Sequence, residues 1–357
     1  MPKFRKNKAL CFDDVLLVPK YSSISSRDNV DISTRISGID LRLPIISANM
    51  SSITESHMIQ YMNIQGGLGI LHRMMSIEDQ VKQIETAKKE TAEFRPFICG
   101  ASISTQDDAI DNSAKLIAAG ATVICIDVAH GHTYQTAVTA SSFIQKFGNF
   151  PLIIGNISTK SSAEYFINYL SNGNMFHKNI SLKIGVGSGS HCTTRIVTGC
   201  GIPTFQSICE ISELDLDVSL IADGGIKNSG DIVKCLAAGA DAVMIGGLLS
   251  ATLETPGKIE VDPLTKERYK IYRGSASYGQ KKKLQGSNKD VKYVEGEESK
   301  ILYKGSSEII LNNLREGIKS GMSYCGSRNL KQLHFAAEFV EVSNMGHHES
   351  KPHGAIK

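Results

Sequence analysis

Eight short apolar runs, separated by amphipathic stretches, recur along the chain and restrict what it can fold into. They are Leu43-Pro44-Ile45-Ile46, Leu68-Gly69-Ile70-Leu71, Phe97-Ile98-Cys99 and Val123-Ile124-Cys125-Ile126, then Leu152-Ile153-Ile154, Leu182-Lys183-Ile184, Leu220-Ile221-Ala222 and Val243-Met244-Ile245. Runs this short, rich in β-branched residues and mostly without alternation, suit strands buried on both faces. Between them, Ser76 to Glu90 reads as a helix with a capping-box-like start at Ser76 and Asp79. Gln106 to Ala119 reads as another, with Ala109, Ile110, Ala114, Ile117 and Ala118 on about one face. Ala118-Ala119-Gly120-Ala121 and Ala237-Ala238-Gly239-Ala240 repeat one device, a helix stopped by glycine before the next strand. A doubly wound sheet gives the same alternation, but the count of eight favours an α/β fold of the (β/α)8 TIM-barrel type. The 357 residues suit one such barrel with additions, so residues 1–357 read as a single catalytic domain.

Pro256 to about Ser306 breaks the rhythm with a polar, glycine-containing excursion that includes Lys281-Lys282-Lys283. A long polar excursion inside a compact domain is usually a functional flap or a disordered segment. We place a flap after the eighth strand, at about 273–306. The tail from His347 to Lys357 reads as solvent-exposed, and its His347-His348 pair needs no metal to explain it.

A net charge of +3 and a charged fraction of 21% do not point to a nucleic-acid binder. The eight cysteines are scattered without a CxxC pair, which suits reduced thiols better than a zinc site or a disulfide framework. The basic N-terminus is not followed by a signal-peptide core, and no run approaches a membrane span. The expectation is a cytoplasmic protein with neither nucleic acid nor membrane as partner.

In barrels of this kind, catalytic groups come from the loops that follow the strands. Gly224-Gly225 follows the seventh run and Gly246-Gly247 the eighth. A tight turn explains either pair alone, but together at these positions they favour phosphate binding through backbone N–H groups. The loop after the sixth run, Gly187-Ser188-Gly189-Ser190-His191-Cys192-Thr193-Thr194, places a thiol among backbone donors. An isolated loop thiol would be unremarkable chemically; Ser190, Thr193, Thr194 and Arg195 around this one favour a nucleophile. Asp127 and Asp223 end the fourth and seventh runs, where a carboxylate accepts ribose hydroxyls or, equally, a loop backbone hydrogen bond. His130-Gly131-His132 has metal-ligand spacing, but no second His-x-His follows another strand, so metal is the weaker reading.

These residues resemble the IMP dehydrogenase and GMP reductase superfamily across nearly the whole chain. The resemblance runs through Phe12-Asp13-Asp14-Val15-Leu16-Leu17, Ser47-Ala48-Asn49-Met50, Ile126-Asp127, Gly155-Asn156 and the Cys192 loop. It continues through Ala222-Asp223-Gly224-Gly225, Met244-Ile245-Gly246 and Tyr324-Cys325-Gly326. Ser188 stands where the family usually has proline, and His191 replaces a smaller or apolar residue. The regulatory tandem domain that dehydrogenases usually carry between the second and third strands is absent, since Ser76 to Pro96 leaves room only for a helix and a connection. Dehydrogenases use an Arg-Tyr pair in the flap to activate water; none follows Gly274, and Arg268-Tyr269 lies upstream of the flap. Gly274-Ser275-Ala276-Ser277, Lys282-Lys283-Leu284-Gln285-Gly286 and Glu295-Gly296 resemble the reductase. Gly66 to His72, Tyr272-Arg273-Gly274 and Glu349-Ser350-Lys351-Pro352-His353 read more like the dehydrogenase.

Weighing missing catalytic groups above scaffold similarity, the resemblance implies NADPH-dependent reductive deamination of GMP to IMP and ammonia. Cys192 would form a covalent thioimidate, with Thr194 and Glu295 as the acid–base relay. Spacing alone would leave Glu295 a solvated acid beside Glu297 and Glu298. The resemblance further implies phosphate on Ser190, Gly225, Gly246 and Gly247 with Tyr272 nearby, and the nucleotide ribose on Asp223. Asp127 would face the cofactor, and backbone carbonyls of Gly187, Gly189 and Cys192 would hold a monovalent cation, K+. The family suggests a homotetramer. The alternatives are a compact IMP dehydrogenase oxidising IMP to XMP with NAD, and a non-catalytic nucleotide-binding barrel.

Overall fold

The computed structural model describes residues 5, 8–91, 96–173, 175, 178–274, 277, 294 and 296–350. Two short antiparallel pairs frame the entry to the fold. Strand β1 (Val15–Leu17) pairs with the last strand, β15 (Phe339–Glu341), and β2 (Thr34–Ile36) forms a hairpin with β3 (Ile39–Leu41). Eight parallel strands then close a barrel: β4 (Ile45–Ser47), β5 (Leu68–Leu71), β6 (Gly100–Ile103), β7 (Val123–Asp127), β8 (Leu152–Ile157), β9 (Ile180–Ile184), β10 (Ser219–Asp223) and β11 (Ala242–Ile245). Each pairs with its neighbours in chain order, and Val243 opposite Ile45 closes the ring. The (β/α)8 barrel expected from the eight runs is the observed architecture.

Seven of the eight runs fall on or overlap their strands; the third does not. Phe97-Ile98-Cys99 precedes β6, which is Gly100-Ala101-Ser102-Ile103. Its small residues fit the barrel wall, where a Cβ at Gly100 would stand 2.7 Å from Ile70 Cγ1. Phe97 and Ile98 instead pack, half-buried, against the outside of the core. The helices follow their signals closely. Ile77–Thr91 begins at Ser76, whose Oγ accepts the Asp79 amide at 3.1 Å, and Ala109–Ala119 ends at Gly120 in the left-handed region. Between β5 and β6, the described residues contain that one helix and its connections.

The hairpin packs against the barrel where β8 and β9 begin. Ser37 and Gly38 take positive φ values of 47° and 81°, as a tight two-residue turn between twisted strands requires. The buried Ser37 donates from its amide to Ser181 Oγ at 2.9 Å and from its hydroxyl to the Leu152 carbonyl at 3.0 Å.

The polar excursion after β11 carries a small sheet of its own. β12 (Glu260–Val261), β13 (Arg268–Arg273) and β14 (Glu298–Leu302) form an antiparallel sheet. Most of the residues between β13 and β14 lie outside the described set. The sheet is fastened to the barrel by the buried Lys270, whose ammonium donates to the carbonyls of Thr255 at 2.7 Å and Leu253 at 3.2 Å. In the tail, His347 and His348 lie in a short helix, Asn344–Glu349, with no buried residue, and His348 to Ser350 are exposed as expected; residues 351–357 lie outside the described residues. Among the described residues, no helix is long and apolar enough to cross a membrane.

Candidate active site

The loop after β9 is built by close approach of two backbones. Gly185 has a φ of 148°, and a Cβ there would lie 1.8 Å from the Asp223 carbonyl oxygen, so only glycine fits. Ser188, in the place of the family's usual proline, stiffens the loop by hydrogen bonding instead. Its hydroxyl accepts from Thr204 Oγ1 at 2.6 Å and donates to the Asp223 carbonyl at 3.3 Å. The Cys192 amide donates to the Gly189 carbonyl at 3.0 Å, turning the thiol into the cleft. The thiol donates to Thr194 Oγ1 at 3.1 Å. The thiol's hydrogen-bond acceptor thus lies two residues along the same loop.

The base of the flap sheet is stitched onto this loop. Cys192 bridges Gly296, the Glu297 amide donates to the His191 carbonyl at 3.0 Å, and His191 Nε2 lies 2.5 Å from Ser299 Oγ. The His191 ring also packs edge-on against Tyr272, with centroids 4.3 Å apart. Burial lowers its pKa from the ordinary histidine value. Glu295 itself lies outside the described residues.

The expected phosphate-binding groups gather beside the loop. Gly247 faces Ser190, whose Oγ would stand 3.2 Å from a Cβ there, and Gly246 faces the Tyr272 hydroxyl at 3.1 Å on the same basis. Gly225, at φ 82°, packs against Phe12 and Ser188. Burial raises the Tyr272 phenol, with the Ser190 hydroxyl opposing it, so Tyr272 stays a neutral donor. Lys304, two residues past the end of β14, donates to the carbonyls of Gly247 at 2.9 Å and Leu248 at 3.2 Å. The second glycine loop is therefore held from behind as well as in front.

Asp127 and Asp223, at the ends of β7 and β10, have side chains 19% and 21% exposed. Lys183 Nζ is 3.0 Å from Asp127 Oδ1 and 3.0 Å from Asp223 Oδ2. Asn156 completes the group by accepting from Lys183 and donating to Asp223 Oδ2 at 2.8 Å. Burial alone would raise the Asp127 pKa, but the charges of Lys183 and Arg73 outweigh it and hold the carboxyl below its usual range. Cys192, Thr194, Ser190, Tyr272, Asp127 and Asp223 all line one cleft of about 240 Å³.

Sequence reasoning passed over Lys183, Asn156 as a side chain, Arg73 and Lys304. For Lys183 a signal existed: a charge inside an unalternating apolar strand has nowhere to go but the barrel interior. His130 and His132 pair with each other edge-on, and His132 packs on Tyr165 at 5.1 Å. No group of three His, Cys, Asp or Glu side chains among the described residues could hold a metal ion. Arg268 and Tyr269 serve the flap sheet, Arg268 over the Tyr303 ring and Tyr269 under Lys300.

The IMP dehydrogenase / GMP reductase domain matches residues 9–353. An inosine-5'-monophosphate dehydrogenase of Borreliella burgdorferi is 34% identical, covering 99% of this chain and 98% of its own length. One from Cryptosporidium parvum is 33% identical over 97% and 95%, and one from Nitrosopumilus maritimus is 31% identical over 98% and 99%. The first two alignments run over 409 and 394 residues against 482 for the third, so proteins named dehydrogenase include chains with little added length. A closed eight-stranded barrel, a thiol on the loop after its sixth strand and a domain match over nearly every residue have one reading: the chain is an oxidoreductase of the IMP dehydrogenase / GMP reductase family.

Proposed function

We propose that the chain, acting as a single catalytic domain, is a GMP reductase that converts GMP, NADPH and a proton into IMP, ammonia and NADP+. The observation that carries the chemistry is the Cys192 thiol, 3.1 Å from Thr194 Oγ1, in a cleft between glycine loops and two carboxylates. In this reading the thiol passes its proton towards Thr194, and the sulfur bonds to C2 of the guanine ring. The exocyclic amine takes up a proton and leaves as ammonia, giving a thioimidate. An amine departs only when protonated, so a relay beyond Thr194 is required. Glu295 is assigned that place by resemblance; its neighbour Gly296 bridges Cys192, which supports the assignment. Hydride then reaches C2 and the sulfur departs, yielding IMP. A bound nicotinamide would supply that hydride, and Asp127 is the residue assigned to hold the cofactor side of the cleft.

Ser190, Tyr272 and the backbones of Gly225, Gly246 and Gly247 take the phosphate, and Asp223 the ribose hydroxyls. The carbonyl oxygens of Gly187, Gly189 and Cys192 would hold a monovalent cation that stiffens the loop. Neutral carbonyls with a spare lone pair suit such an ion, and Gly189 uses one lone pair on the Cys192 amide. As in the family, the working unit is taken as a homotetramer.

The direction of reaction rests on one sequence feature, the flap without the Arg-Tyr pair that hydrolysis of a thioimidate requires. The relatives favour the second reading, oxidation of IMP to XMP with NAD, since those compared here are named for that activity. Purified protein is to be incubated with GMP and NADPH, and separately with IMP and NAD, following absorbance, ammonia and product. Loss of NADPH with equal ammonia and IMP is expected. XMP from IMP and NAD would establish the second reading, and tight binding without turnover in either mixture would establish a non-catalytic barrel.

A further inference from the structure

The chemistry above leaves the most deeply placed charge of the site without a part. Lys183 has a side chain only 1% exposed, near the end of β9 on the floor of the cleft. We infer that Lys183 is a positioning residue serving both halves of the site, one ammonium fixing the nucleotide-side carboxylate of Asp223 and the cofactor-side carboxylate of Asp127. The inference rests on the assignment of those two carboxylates in the preceding section.

The hydrogen-bond count supports it. An ammonium has three protons to donate, and the acceptors around Lys183 are Asp127 Oδ1 at 3.0 Å, Asp223 Oδ2 at 3.0 Å and Asn156 Oδ1. None is left for a ligand, so Lys183 acts through its partners. Each carboxylate, by contrast, is about one-fifth exposed and lines the cleft. Asn156 extends the group to the nucleophile's loop by donating to the Gly185 carbonyl at 2.6 Å. A shift of this one lysine would reach both ligand sites and the root of the thiol's loop.

The electrostatics are asymmetric. Two carboxylates share one buried counter-charge, and among the described residues the other cation paired with them is Arg73, 3.9 Å from Asp127 Oδ2 and 32% exposed. Among the described residues, the other titratable groups at the cluster are the Cys125 thiol, pushed up by burial to about 12, and the Tyr272 phenol, raised by burial, both neutral, with the Cys192 thiol in the same cleft. Burial would lower the Lys183 pKa, but Asp223 and Asp127 overcome it and raise it above the ordinary lysine value. Without that charge, two ionised carboxylates stand together in a poorly solvated site, and a proton is taken up and shared between them, so that each spends part of its time neutral. A protonated carboxyl loses acceptor capacity towards ribose hydroxyls.

A buried ion group can be merely structural, and its net contribution to stability is often near zero. The two roles separate by pH. The test measures equilibrium binding of GMP, IMP, NADPH and NAD to the wild-type chain and to Lys183→Met, from about pH 6 to about pH 9. Wild-type affinities are expected to stay nearly flat. In Lys183→Met, nucleotide and dinucleotide affinities should both fall, by about tenfold or more at neutral pH. They should recover as pH rises, because the shared proton is lost above the raised pKa of the pair. Should that variant not fold, Lys183→Gln, which keeps a donor without the charge, gives the same reading. Asp223→Asn should weaken the nucleotide alone and Asp127→Asn the dinucleotide alone. If these controls leave both ligands in place, the assignment of the carboxylates fails and the inference with it. If they behave as stated but a folded Lys183 variant binds both ligands with wild-type affinity, or loses only one, the inference alone is overturned.

Discussion

A thiol that donates to a hydroxyl has a route for its proton but not yet a destination. Thr194 Oγ1 accepts from Cys192 at 3.1 Å and can relay that proton only by releasing its own. Removing either residue should therefore have different consequences. Cys192→Ala abolishes the covalent step, so turnover should fall by at least about 10³-fold while nucleotide affinity is kept. Thr194→Ala should cost about 10²-fold in kcat, with Thr194→Ser restoring most of it. Steady-state kinetics beside equilibrium nucleotide binding read both, and equal losses in the Ala and Ser variants would argue against a hydroxyl relay. The thiol was legible because glycines and hydroxyls surround it in the chain itself. For Lys183 the sequence showed at most a charge inside an apolar strand and not its role, since its partners Asp127, Asn156 and Asp223 come from three other strands and meet it only when the barrel closes. The same holds for Ser188, whose bonds to Thr204 and Asp223 cannot be read from a loop that merely lacks its proline.

At the scale of elements, period and punctuation carried most of the information. Strands buried on both faces appear as unbroken apolar runs, and glycine stops such as Gly120 and Gly239 mark the helix ends, both at positive φ. β6 escaped because its Gly-Ala-Ser-Ile sequence is chosen for the room left by Ile70 and not for hydrophobicity. The β2–β3 hairpin escaped although Ser37-Gly38 between two short alternating segments is a recognised turn signal. Helix packing is likewise written in small residues. On the helix Ser307–Tyr324, Gly317 and Gly321 lie one turn apart against the helix Ser229–Ala237, where added Cβ atoms would meet Ser229 Oγ at 2.2 Å and Val233 Cγ2 at 2.8 Å. Gly321→Val should force the two helices apart and destabilise the chain by about 1–3 kcal/mol. Urea unfolding measures this, and Val233→Ala in the same chain should return part of the loss by making room.

Across the whole molecule, the two ends of the sequence meet beside the catalytic face. β1 pairs with β15, Val342 donates to the Asp14 carbonyl at 2.9 Å, and Lys234 Nζ donates to the Phe12 carbonyl at 2.8 Å. A chain of rings joins them: Phe339 packs edge-on to Phe205 at 5.0 Å, and Phe205 to Phe12 at 6.0 Å. Phe12 in turn lies against Gly225, with Cε2 3.5 Å from where a Cβ would be. The C-terminal strand thus reaches a glycine assigned to the nucleotide phosphate through two rings, although it contributes no atom to the cleft. Phe339 is only half-buried, so Phe339→Ala should cost about 1–3 kcal/mol, less than a fully buried phenylalanine. Loss of its ring lets Phe205 and then Phe12 relax away from Gly225, which loosens the phosphate loop but leaves Cys192 and Thr194 in place. The expected kinetic signature is a raised KM for the nucleotide with kcat little changed, measured where the variant remains folded by circular dichroism. A fall in kcat with unchanged KM would mean that the ring chain supports the nucleophile's loop and not the phosphate end.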